Sequence, residues 1–334
     1  MWDFLIKFQP LLQKRLWGGH ALERRFGKQP AESGALFGES WEICDRDPEQ
    51  SVATLEDGTA VTLHDLWTRH REAVFGRALA GHASLRYPLL MKILDACDDL
   101  SIQVHPPASV AAELGGEPKT EMWYVAAAEP GAKVYAGLRE GVDKAELERA
   151  VASGDVAGCV QVLEPGAGDC LFIPSGLIHA IGAGLVIYEV QQNSDTTFRL
   201  FDWNRTGADG RPRELHVEQS LCCIDGSAGV PVLTRGRDVA CEFFRVRPAC
   251  AADGCRLEAW TGGNLTLAVV QGTIRLGDQE LKAGDFAIVP AAMSPEHRRA
   301  VVVSADAEWL EVSIPWNDAS AAGAGFDKQS VRRS

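Results

Sequence analysis

The chain has 334 residues, enough for two domains of ordinary size, and its 46% hydrophobic and 24% charged content is that of a globular protein with a sizeable core. A formal net charge of −13 argues against a nucleic-acid role built on a basic stripe, but leaves room for a small anionic ligand held by a few local cations. No apolar run reaches the ~18 residues of a membrane span, no basic leader opens the chain, and the nine scattered cysteines contain no C-x-x-C pair, so a soluble, cytoplasmic chain with reduced thiols is expected.

Residues 1–60 are turn-rich, with Gly18-Gly19, Gly34 and Gly38 punctuating short strands. In Gly38–Ile43, strand alternation puts Glu39, Trp41 and Ile43 on one face, where the acid reads either as a pocket residue or as a surface acid beside a core Trp. Thr62 opens a helix with Leu63, Leu66, Trp67 and Val74 at helical spacing, and His64, His70 and His82 read as solvent-facing or capping. From Tyr87, PLLMKILDA and LSIQVH predict strands joined by a turn at Cys97-Asp98-Asp99. Pro106-Pro107 predicts a helix start and Gly115-Gly116 its end; Trp123-Tyr124-Val125 is again a strand, and Asp143 caps a helix to Val151. Residues 162–205 read as a β-meander, followed by a helix around His216–Cys223 and a second β-rich region over roughly 236–316.

The two β-rich regions share a motif. Gly168-Asp169-Cys170-Leu171-Phe172-Ile173-Pro174 is echoed 116 residues later by Gly284-Asp285-Phe286-Ala287-Ile288-Val289-Pro290. This repeat with strand alternation predicts a mainly β fold of two tandem cupin-like jelly-roll barrels with a few short helices. The expected division is a catalytic unit over 1–235, a degenerate second unit over 236–320 and a flexible tail over 321–334. At the repeat offset, the position of His179 is taken by Pro295, which assigns any site to the first unit.

Gln103 and His105 are two apart on a strand and project from one face, and Glu121 and His179 sit on further strands that a barrel brings alongside. An amide, two imidazoles and a carboxylate make a plausible first shell for Zn²⁺ with an open position. Two His and one carboxylate also describe the facial triad of non-haem iron oxygenases, so a cupin dioxygenase stays open on residue types. Lys92, Lys119 and Arg199, with Asp195 nearby, place cations around the same pocket and favour an anionic, phosphorylated substrate.

Taken together, S-I-Q-V-H-P-P, K-T-E-M-W-Y, I-P-S-G-L-I-H-A-I-G and N-S-D-T-T-F-R-L-F-D-W-N-R resemble the type I mannose-6-phosphate isomerases of the short bacterial branch, and W-G-G at Trp17–Gly19 and G-E-S-W-E-I at Gly38–Ile43 also fit. The resemblance implies one Zn²⁺ per chain on Gln103, His105, Glu121 and His179. It further implies catalytic roles for Arg199, Lys119 and Asp195, with Lys92, Glu39 and Trp17 lining the substrate site. The implied reaction is aldose–ketose isomerisation of mannose 6-phosphate and fructose 6-phosphate through an enediolate, with Asp195, Lys119 or a water at the metal as the base, or else a hydride shift. A non-catalytic sugar-phosphate-binding cupin is the alternative. The expected partner is a small sugar phosphate, with neither nucleic acid nor membrane, and the chain acting as monomer or homodimer.

Overall fold

A computed structural model describes residues 2–29, 34–207, 210–226, 229–251, 264–298, 300–302 and 304–315; the predicted tail 321–334 lies outside them. The fold is mainly β with short helices, as expected. In the first unit a seven-stranded antiparallel sheet runs through Thr234–Arg235, Asp169–Ile173, Glu121–Ala128, Leu185–Gln192, Leu89–Ala96, Phe37–Ile43 and Leu11–Gly19. A five-stranded sheet of Val160–Leu163, Val134–Leu138, His179–Ile181, Ile102–Val104 and Phe198–Phe201 faces it. Leu94, Trp123 and Ile187 from the large sheet meet Val134, Ala136 and Ile181 from the small one in a shared core.

The strands of 160–205 therefore do not form a meander. Asp169–Ile173 and Leu185–Gln192 belong to the large sheet, and Val160–Leu163, His179–Ile181 and Phe198–Phe201 to the small one. Each turn carries the chain across from one sheet to the other, because the inner faces can only be buried against each other.

The second unit repeats this order. Its six-stranded sheet contains Phe286–Val289, Leu265–Gln271, Glu308–Ser313 and Arg245–Cys250, matching Asp169–Ile173, Glu121–Ala128, Leu185–Gln192 and Leu89–Ala96 of the first. Gly168 and Gly284 both have φ near +90°, at 88° and 89°. Each donates its amide to the neighbouring strand, at Val125 and Val269, over 2.8 Å. Asp169 and Asp285 each accept from the amide three residues back, at Gly166 (2.8 Å) and Lys282 (3.0 Å). The G-D motif is thus a turn in which glycine supplies the left-handed conformation and aspartate closes the loop. Ile173 pairs with Glu121 and Val289 with Leu265, so an aliphatic side chain stands in the second unit where the first carries a carboxylate.

Three expectations are corrected. Ile6–Lys7 pairs with the second unit's Phe286–Val289 rather than joining the first unit, since Ile6 finds apolar cover there. Residues 108–115 form consecutive turns rather than a regular helix. A bulge after Trp41 sends Ile43 into the cluster of Met91 and Ile93 while Trp41 packs with Leu90, so Ile43 does not share the face of Glu39 and Trp41.

The units join through the outer faces of their large sheets. Met91, Ile93, Met122 and Val190 merge with Ala268, Phe286, Leu310 and Val312 in one core. Tyr188 donates to the Val269 carbonyl over 2.8 Å and stacks on Phe286. Because both faces of the large sheet are covered, its inner strand Leu89–Ala96 is buried throughout, and charged Lys92 within it stands out. At Gly284 a Cβ would lie 2.6 Å from Phe26 Cβ on a backbone with φ 89°. Gly284→Ala is therefore expected to cost about 2–4 kcal/mol of stability, from left-handed strain plus overpacking, measured by urea unfolding. Cys44, Cys97, Cys159, Cys170, Cys222, Cys223 and Cys241 are free thiols, and no helix among the described residues is long and apolar enough to cross a membrane.

Candidate metal centre and active site

On Ile102–Val104, Ile102 and Val104 turn into apolar clusters and Gln103 faces the space between the sheets. His105 follows that strand, Glu121 opens Glu121–Ala128, and His179 opens His179–Ile181 directly opposite Gln103. One ligand atom from each of His105, Glu121 and His179 falls within 4.8 Å of the other two, and all three residues are buried. His105 Nε2 is 3.3 Å from Glu121 Oε2, and His179 Nε2 is 3.6 Å from Glu121 Oε1. Gln103 lies beside them, its amide nitrogen 3.3 Å from His179 Nε2. A half-turn of that amide brings its oxygen to the same place.

The backbone sets both imidazoles. His105 Nδ1 donates to the Thr196 carbonyl over 2.9 Å and His179 Nδ1 to the Leu177 carbonyl over 2.8 Å, which leaves each Nε2 lone pair turned toward Glu121. Burial, reinforced by the Lys119 charge, takes His105 down to about 3, and burial also lowers His179, so both rings are neutral donors at pH 7. Burial pushes the Glu121 carboxyl up, but Lys119 and His105 outweigh it and hold the group well below the usual carboxylate range. Lys119 Nζ lies 2.7 Å from Glu121 Oε2 and 3.0 Å from His105 Nε2. Yet neither Glu121 oxygen accepts a well-directed hydrogen bond. A fully buried carboxylate between two neutral imidazoles, paired only with Lys119 at Oε2 and left with Oε1 unbonded, is a donor set that fits a divalent metal ion.

A cavity of about 380 Å³ opens above this floor. It is lined by every non-ligand residue chosen from the sequence, namely Trp17, Glu39, Lys92, Lys119, Asp195 and Arg199, and also by Arg15, Trp123, Glu189 and Arg213. One wall is a chain of paired charges. Arg15 binds the Glu39 carboxylate through Nε (3.1 Å) and Nη2 (3.0 Å), and Trp41 Nε1 donates to it over 2.6 Å. Lys92 Nζ sits 3.7 Å from both Glu39 and Glu189. Burial works against the charge of Glu39, but Lys92 and Arg15 prevail and bring it down to about 2. Glu189 goes the other way. Burial first, then the negative charge of Glu121, push it up to about 7 despite Lys119 and Lys92. Trp123 Nε1 donates to Glu189 over 3.1 Å, and the same indole meets the His179 ring edge-on at 5.5 Å.

The opposite rim is cationic. Asp202 is shared by Arg205 and Arg213, the latter donating Nε over 2.7 Å, while Arg199 is tied through Nη1 to the Glu214 carbonyl at 2.8 Å and keeps Nε without a hydrogen-bond partner. Sequence reasoning missed Glu189, Trp123, Arg15 and Arg213. A charged residue inside the apolar run LVIYEVQQ was a readable sign for Glu189, whereas nothing in the polar stretch around Arg213 marked it.

Residues 5–129 match the family described as phosphomannose isomerase type I, catalytic domain. The mannose-6-phosphate isomerase of Streptococcus mutans is 36% identical over 299 residues, covering 84% of this chain and 91% of that protein. A putative mannose-6-phosphate isomerase of Bacillus subtilis is 38% identical over 304 residues, covering 85% and 92%. Among solved structures, mannose 6-phosphate isomerase from Bacillus subtilis superposes with a TM-score of 0.76 at 28% identity, over 93% of this chain and 99% of that one. A mannose 6-phosphate isomerase bound with zinc and yttrium shares the fold at a TM-score of 0.65 and 18% identity, over 93% and 99%. With over a third of the aligned residues identical to such proteins along most of its length, this chain belongs to the type I mannose-6-phosphate isomerases and is an enzyme of that class.

Proposed function

We propose that this enzyme interconverts mannose 6-phosphate and fructose 6-phosphate with one zinc ion, moving a proton between C1 and C2 through an enediolate. The observation that carries this reading is the convergence of His105, Glu121 and His179 beneath a cavity whose far rim bears Arg199 and Arg213. Gln103 pairs with His179 on one side and Arg199 on the other, so two strand spacings separate those residues by about 10 Å. A hexose phosphate spans that gap with C1 and C2 over the metal floor and its phosphate at Arg199. Two neutral imidazoles, a carboxylate and an amide suit zinc, and the zinc-bound structural neighbour supports the same choice.

Zinc, when bound, stabilises charge developing on the substrate oxygens at C1 and C2. Everything else falls to the side chains. Lys119 is kept cationic, because Glu121, Glu189 and Asp195 overcome the effect of burial on its ammonium, so it supplies positive charge rather than a base. Asp195 supports that charge. Glu189, poised near neutral pH, takes the proton from C2 and returns it at C1. Lys92 and Glu39 fix its surroundings, and Trp17 and Trp123 wall the site against water. The second unit, which shows no metal-ligand group among the described residues, acts as structural backing.

The test is a coupled assay of zinc-loaded protein with mannose 6-phosphate, following fructose 6-phosphate with and without a chelator. Product that disappears with the chelator is expected; no product from zinc-replete protein refutes the reading.

A further inference from the structure

The Thr196 carbonyl that orients His105 lies in a loop, and loops do not hold an acceptor in place without help. Here segment 193–196 is fastened to Glu117 at four points. The Glu117 amide donates to Thr196 Oγ1 (3.0 Å), and its carbonyl accepts from Ser194 Oγ (3.0 Å). Its side chain is gripped by Arg46 (2.9 Å) and by Arg86, and both guanidinium groups reach on to Asn193, Arg46 donating to the Asn193 carbonyl over 2.8 Å. Asn193 is itself anchored, donating to the carbonyls of Asp45 (2.8 Å) and Tyr87 (2.7 Å). Gly116 closes the contact, since a Cβ there would come within 2.6 Å of Thr196 Cγ2 and 3.3 Å of its Oγ1.

We propose that Glu117, held between Arg46 and Arg86, is a positioning residue for the metal centre: it anchors segment 193–196 so that the Thr196 carbonyl keeps His105 with Nε2 turned to Glu121 and His179. The inference rests on the zinc reading above. Glu117 touches none of the metal-binding side chains and does not line the 380 Å³ cavity, so its effect passes through one backbone carbonyl. Its carboxylate is 40% exposed, and ion pairs at such positions contribute little to folding. Metal affinity depends on the ring orientation that such outer contacts impose, and their loss weakens it about 10–100-fold.

The experiment measures zinc dissociation constants by chelator competition, and Tm of the metal-free protein, for wild type, Glu117→Gln and Gly116→Ala. Glu117→Gln loosens the clamp, and Gly116→Ala pushes on Thr196 without altering charge. The expected result is zinc affinity lowered at least about tenfold in both, with kcat falling, KM for the sugar phosphate little changed, and the metal-free Tm of Glu117→Gln within about 2 °C of wild type, since an exposed ion pair adds little to folding. Wild-type zinc affinity in both variants overturns the proposal while leaving the zinc reading intact. Weakened affinity in Glu117→Gln that tracks a matching loss of its metal-free Tm also overturns it, as a folding effect. A wild-type protein that binds no zinc overturns the zinc reading and this inference with it.

Discussion

Alanine at His179 is expected to abolish stoichiometric zinc binding and to lower kcat/KM for mannose 6-phosphate by at least about 10³-fold, the rate equivalent of several kcal/mol of charge stabilisation. The donor group has three members, each buried, and removing one leaves His105 and Glu121 unable to close a four-coordinate site with the Gln103 amide alone. His179 is 1% exposed and packs edge-on against Trp123, so no neighbouring side chain swings in to replace it. Zinc content after gel filtration and steady-state rates on the same sample check the two halves of the prediction. Normal turnover in this variant removes His179 from the ligand set.

For Glu189→Gln the expected fall in kcat is about 10²–10⁴-fold, the range lost with a positioned general base, with folding and zinc content retained because the amide is nearly isosteric. The pH profile separates this from a packing effect. A base must be ionised, so kcat/KM of the zinc-loaded wild type rises with pH and then levels, with its limb below the value of about 7 that the uncompensated Glu121 charge helps give Glu189 in the metal-free chain. In Glu189→Gln the limb vanishes. Stability shifts with the opposite sense: the folded pKa lies above its ordinary value, so the protonated form is favoured by folding, and the advantage, complete below about 4.5, is lost as pH rises through about 7. Metal-free Glu189→Gln protein should accordingly melt higher than wild type at pH 8 and close to it at pH 4.5. A pH limb that survives the substitution gives the proton transfer to another group.

Some of the centre could be read from spacing because strand geometry is local. Gln103 and His105 both reach His179, as alternation in LSIQVH requires although the strand ends at Val104, and the paired G-D motifs had to be equivalent turns once both were flanked by strands. The error at Ile43 arose where that same local rule fails, since a bulge is set by what the neighbouring strand can accept. The meander expectation failed for a related reason: short turns announce where a strand ends and do not say which sheet the next strand enters.

By itself the sequence determined the chemical types available and their order along the chain: two imidazoles, a carboxylate and an amide in one half, and Pro295 at the place of His179 in the other. It also determined the strand faces wherever no bulge intervenes, through a periodicity of two that needs no partner to be known. Tertiary structure alone decided which charges meet. Glu39 and Glu189 are both glutamates on the large sheet, yet one is drawn to about 2 by Arg15 and Lys92 and the other raised to about 7 by burial and Glu121. Likewise, only packing brought Arg213 to the rim, Ile6–Lys7 to the second unit and the Thr196 carbonyl to His105. A buried charge takes its proton affinity from neighbours a few ångströms away, and those neighbours lie tens to hundreds of residues distant along the chain.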